Sequence, residues 1–151
     1  MEKTKKNNKG FSLVELIVVV LIMAIIAVSL APQVMKWVEN SRIATDVSNY
    51  DSLISNCQLA LTDANAYSEM KASEGYTLTI KSSGTVTLAA NKSGGATTAM
   101  DAALDLLDAS WINLNVKASG VSEYVITIDA NGTVKRGDAS GNKVPDASAV
   151  K

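Results

Sequence analysis

Glu15 is the one ionisable group in a stretch that runs from Phe11 through Met35. A carboxylate set in such a run needs a cation or hydrogen-bond donors. An acidic side chain at the centre of a membrane helix costs about 2.5–3.5 kcal/mol, and less near its end. No Lys or Arg lies within the run to pair with it. The chemistry open to Glu15 is therefore ion pairing with a group from elsewhere.

The other residues capable of chemistry offer little. The chain has no His, which removes the commonest general base and the commonest zinc ligand. Its one cysteine, Cys57, permits neither an internal disulfide nor a thiolate metal cage. Asp129-Ala130-Asn131-Gly132-Thr133 has the look of a calcium loop, but glycine falls fourth and Ser140 occupies the twelfth position. An EF-hand needs glycine sixth and Glu twelfth, so a hairpin turn is the reading. Asp101, Asp105 and Asp108 share the polar side of a helix and read as a solvated face. Asn91-Lys92-Ser93 and Asn131-Gly132-Thr133 fit the glycosylation pattern, which is common by chance. No phosphate loop or nucleophile elbow is present. A membrane-anchored enzyme is improbable on these grounds; no catalytic residue, metal or cofactor is expected.

The elements around Glu15 are written in the charge pattern. Among 151 residues, 14 Lys and Arg nearly balance 15 Asp and Glu, which gives no basic excess for binding nucleic acid. Residues 1–10 nevertheless carry four Lys and one Glu, while the remainder is net acidic. Between them, 18 of the 21 residues from Phe11 to Ala31 are apolar. A helix of that length spans about 31 Å, the thickness of a bilayer core, and it is apolar on all sides. The leading lysines keep the N-terminus in the cytoplasm. Lys36 and Trp37 follow where an interfacial anchor pair belongs. A secretory signal peptide would have a shorter apolar run and a break after it. A plain membrane anchor would gain nothing from Glu15.

Gly10-Phe11-Ser12-Leu13-Val14-Glu15-Leu16, behind a Lys-rich leader and ahead of an apolar run, resembles the class III signal of type IV pilins and pseudopilins. The resemblance covers about the first 35 residues, with Val14 where Ile is more usual. It implies that a membrane prepilin peptidase cuts between Gly10 and Phe11 and methylates the new amine of Phe11. It implies that Glu15, one turn on, meets such an amine within its subunit or on an incoming neighbour. Pro32 matches a family position at which a long helix is kinked. Many relatives pin a C-terminal loop with a disulfide. This chain lacks the pair, which points to a Gram-positive source and leaves open what holds that end. Calcium near Asp138–Asp146, as in major pseudopilins, is a loose match.

The implied partners are further copies of the same chain, the prepilin peptidase and N-methyltransferase, the assembly platform with its ATPase, and membrane lipid before assembly. No cofactor or nucleic acid is implied. The expected organisation is a leader at 1–10, a membrane and filament-core helix at 11–35, and a globular head at 36–151. The precursor sits in the cytoplasmic membrane and the product at the cell surface. The expected role is a major pilus subunit for adhesion, aggregation or twitching motility, with a pseudopilin of a type II secretion or competence system as the alternative.

Beyond Pro32 the pattern turns amphipathic. Ile43, Val47, Tyr50, Ile54, Cys57, Leu61 and Ala64 are spaced alternately by four and three, one stripe of a helix. Glu39, Arg42, Asp46, Asp51 and Asp63 fall on other faces. One helix is expected from about Ser12 to Tyr67, with Cys57 as a buried small thiol. Alternation predicts a hairpin over 76–88 and further strands at 112–116, 124–128 and 133–136. Thr98 and Asp101 form a capping box for a helix with Met100, Ala103, Leu104, Leu107 and Trp111 on its apolar side. The tail 137–151 is small, polar and irregular. The fold class is α+β: a long N-terminal helix packed on an antiparallel sheet of three to five strands.

Overall fold

The computed structural model describes residues 10–138, 141 and 143–146. The leader before Gly10 lies outside the described residues, as does part of the loose calcium match near the C-terminus. Helix α1 runs over Leu13–Ala60 and α2 over Ala64–Ala72. Strands β1 (Tyr76–Lys81) and β2 (Val86–Ala90) follow, then α3 (Thr98–Leu107), a single 3-10 turn at Trp111–Asn113, β3 (Glu123–Ile128) and β4 (Val134–Arg136). The chain divides into two units, Met1–Val38 and Glu39–Lys151.

In the second unit the four strands form one antiparallel sheet in the order β2-β1-β3-β4. The alternation read from the sequence sets its faces. Tyr76, Leu78 and Ile80 of β1 are buried, as are Tyr124, Ile126 and Ile128 of β3. Successive strand residues point to opposite faces, so these rows share one side. Tyr50, Leu53, Cys57 and Ala60 of α1 join them in a single core. The fold is the expected α+β arrangement of helix on sheet.

Several elements depart from expectation. The long helix stops at Ala60 instead of reaching Tyr67. Thr62 and Asp63 bond back three residues to Leu59 and Ala60, tightening the last turn. Asp63 then turns extended, and its Oδ1 accepts from the amides of Asn65 and Ala66 at 2.9 Å, capping a new helix. At α3 the N-cap is Thr97, not Thr98, and its hydroxyl donates to Asp101. The open amides of Ala99 and Met100 go to Glu69 Oε1 on α2 instead. The predicted strand at 112–116 is a 3-10 turn followed by extended chain. Asp108 winds it by accepting from the amide and hydroxyl of Ser110, and Trp111 Nε1 donates to Asp105 at 2.7 Å. The three aspartates read as a solvated face therefore each hold a local partner.

Asp46 is the largest departure. It is 3% exposed and lies on the buried stripe, not on a polar face. Its two oxygens accept from the amide of Lys117 at 2.9 Å, and Oδ2 also accepts from that of Ala118 at 2.8 Å. Two helical turns earlier, Glu39 accepts from the amide and hydroxyl of Ser119, both at 2.6 Å. These bonds hold the Glu39 carboxyl below the usual range, with Arg42 adding to the effect. The segment from Lys117 to Ser119 is thus strapped along α1 by two carboxylates.

The C-terminal end is held without a disulfide. The amide of Val125 donates to the Lys143 carbonyl at 2.9 Å, and Lys143 Nζ pairs with Glu123 at 2.6 Å. Val144 packs on the core. The Tyr50 hydroxyl donates to the Val125 carbonyl and accepts from the Gly137 amide at 2.9 Å, so α1 is tied to both β3 and the chain beyond β4. Arg136 stacks over the Tyr50 ring and pairs with Asp51.

Burial raises four acidic groups of this core above their ordinary values. Cys57 is pushed up to about 12. Tyr124 also rises to about 12, by burial first and then the Asp46 carboxylate. Tyr50 and Tyr76 rise too, chiefly by burial. Each is neutral in the fold and ionises more readily when unfolded. Their stabilisation is complete below the unfolded values, 9.0 for Cys and 10.0 for Tyr, and is lost as pH climbs through the folded ones. The melting temperature is therefore expected to fall steadily from about pH 9 upward. Thermal melts followed by near-ultraviolet circular dichroism test this, and a flat profile up to about pH 12 would refute it.

Candidate functional site

The start of α1 brings Gly10, Phe11 and Glu15 within about one and a half helical turns of sequence. Gly10 is exposed, with no atom within 4 Å of where a Cβ would stand. A main chain this open can lie in a protease cleft without side-chain obstruction. Phe11 is 84% exposed.

Ser12 stands just before the helix, and its carbonyl accepts the first helical bond, from Leu16 N at 3.2 Å. Glu15 Oε2 accepts from the amide of Ser12 at 2.8 Å. This is the glutamate half of a capping box, and the sequence signal for it is Ser-x-x-Glu. The carboxylate satisfies one of the four amides that every helix start leaves open and lies at the positive end of the helix dipole. Ser12 was not among the expected functional residues, although the pattern Ser12-Leu13-Val14-Glu15 carries that signal.

Beyond the cap, every large apolar side chain from Leu13 to Val38 is exposed, and none of these residues is buried. The span has the length and composition to cross a membrane. Ser29 satisfies its hydroxyl on the Ile25 carbonyl at 3.0 Å, which removes one polar group from that surface. Pro32 lies inside the helix, which does not end there. Proline lacks the amide that the Val28 carbonyl would otherwise receive, so one rung of the ladder is missing.

The other candidates have structural roles. Asp129 Oδ1 accepts from the amides of Asn131 and Thr133 at 3.0 Å, and Oδ2 pairs with Lys135. That is a hairpin turn, as expected. Asn91 is held by Thr77, Glu74 and Ile128. Cys57 is fully buried among core residues. Among the described residues no group of three or more His, Cys, Asp or Glu could hold a metal ion.

Residues 5–31 match the family model described as the prokaryotic N-terminal methylation motif. No curated protein and no solved structure matches the chain. The motif implies processing by a prepilin peptidase and handling by a filament-assembly machinery, and a precursor anchored in the membrane. With the class III signal ahead of a long apolar helix and an antiparallel sheet behind it, the chain is pilin-like, with the signal and the architecture of the type IV pilin and pseudopilin superfamily.

Proposed function

We propose that the protein is the major structural subunit of a type IV pilus. The observation that carries this reading is the apolar surface from Leu13 to Val38, exposed along its whole length directly behind a methylation motif. Such a surface needs lipid or other copies of itself to cover it. Hydrolysis of the Gly10–Phe11 bond releases residues 1–10 and frees the amine of Phe11, which is then methylated. Residues 11–35 park the subunit in the membrane, and 36–151 form the outer head. The assembly platform and its ATPase lift the subunit out, and the apolar helices bundle into the filament core. Extraction exchanges lipid contact for helix contact, so the helix never faces water. Glu15 sets the register by pairing with a neighbour's Phe11 amine. The missing rung at Pro32 lets the helix bend as it is packed. Adhesion, aggregation or surface motility then falls to the heads displayed along the fibre.

Immunogold imaging with an antibody against the head tests this reading. Dense labelling along thin surface fibres is expected. Label confined to the envelope would favour a pseudopilin. Mass spectrometry of sheared fibres is expected to find methylated Phe11 at the N-terminus. An N-terminus near residue 30 would mean conventional secretion instead.

A further inference from the structure

We infer that the unassembled precursor holds one fixed depth in the bilayer, with Glu15 capped in the inner headgroup layer and Lys36 and Trp37 seated among the outer phospholipid headgroups. This deepens the proposed function and rests on its membrane-parked precursor. The argument starts from length. Leu16 through Met35 are 20 uncharged residues, which as a helix rise about 30 Å, the thickness of the hydrocarbon core. Glu15 bounds that stretch on one side and Lys36 on the other. A shift of one turn, about 5.4 Å, would draw one of these charges into hydrocarbon. The window fits the membrane in one register.

Each end is equipped for an interface. At the inner end the Glu15 carboxylate already has a partner in its own chain, the Ser12 amide at 2.8 Å. Anchored there, it needs no cation while the subunit waits. At the outer end Trp37 is 65% exposed, and Met35 beside it 73%. An indole with an apolar body and one N–H suits the boundary between chains and headgroups. The Lys36 ammonium reaches from the same turn toward lipid phosphate. The other tryptophan, Trp111, is 2% exposed with its N–H held by Asp105, so it is no candidate for lipid. On this account the acid enters a dry environment only when the subunit leaves the membrane. The demand for a neighbour's amine arises at assembly, not at insertion.

Full-length precursor in vesicles of phosphatidylcholine and phosphatidylglycerol tests the depth. Trp111→Phe leaves Trp37 as the fluorophore. Lipids brominated near the headgroup are expected to quench it more strongly than lipids brominated near the chain ends. The variant Trp37→Phe is expected to lose lipid quenching, whatever Trp111→Phe does to the head. A water-soluble maleimide is expected to label Ser12→Cys, in a Cys57→Ala background, in vesicles opened to both faces, and to spare Val20→Cys until detergent is added. Stronger quenching by the deep bromines, or a protected Ser12→Cys, overturns the register. Failure to float with vesicles overturns the parked precursor itself.

Discussion

Asp46→Ala is expected to lower the stability of the head by about 3 kcal/mol, the largest effect of any single side-chain truncation on its polar contacts. The carboxylate is 3% exposed and accepts from two successive backbone amides, Lys117 and Ala118. Truncation strands both donors. An unsatisfied buried donor costs about 1–3 kcal/mol. The loss also cuts the bonds that tie Lys117 and Ala118 to α1, leaving those that Glu39 and Arg42 make with Ser119, which are exposed and worth less. For a domain of this size the melting temperature is expected to drop by about 10 °C. Asp46→Asn separates shape from chemistry. Its amide fills the same space, but with its oxygen in the place of Oδ2 its NH2 takes the place of Oδ1, 2.9 Å from the Lys117 amide, donor against donor. It is expected to lose more than half of what the alanine variant loses. Melts of the detergent-solubilised chain measure both. An Asp46→Asn protein as stable as the parent would mean that packing, not hydrogen bonding, holds the strap.

What the sequence made legible follows from the range of each interaction. An uncharged run of 20 residues behind a basic leader has few environments open to it, so the apolar helix was readable. Strands β1 and β3 were readable because alternation is local; β1 buries one face, and β3 departs from that only at Val125, which is buried on the opposite face. Asp46 was not, because its partners lie 71 and 72 residues further along and are backbone amides without a residue type. A stripe drawn through Ile43, Val47 and Ile54 is also rotated from the true one, Asp46, Tyr50, Leu53, Cys57 and Ala60. Both pass through Tyr50 and Cys57, so only the packed sheet decides between them. The end of α1 was hidden because Leu61 and Ala64 continue the spacing across the break. Asp63 ends it by a cap that the apolar pattern does not register. Residues 112–116 alternate like a strand, yet Asp105 and Asp108 pull the chain into a turn first. At the functional end the order is reversed: the Ser12–Glu15 bond is local and written in four residues, while the partner amine that Glu15 awaits belongs to another molecule.

Glu15→Gln is expected to reduce surface filaments by more than tenfold while leaving the precursor folded and in the membrane. The glutamine can still accept from the Ser12 amide, since either residue serves at that position of a capping box. It therefore keeps the contact seen at 2.8 Å and removes only the charge. Between opposite charges about 4 Å apart the attraction is about 4 kcal/mol even at an effective dielectric of 20. Desolvation offsets part of that, but a net 1.4 kcal/mol per added subunit is enough for tenfold. Glu15→Ala removes cap and charge together. If pairing with the incoming amine governs assembly, the two variants fail alike. If the cap is what matters, glutamine rescues filaments that alanine does not. Counting sheared filaments against membrane-bound precursor on the same immunoblot separates the cases. Normal yield from Glu15→Gln would remove the ion pair from the mechanism and leave Glu15 as the first turn of its own helix.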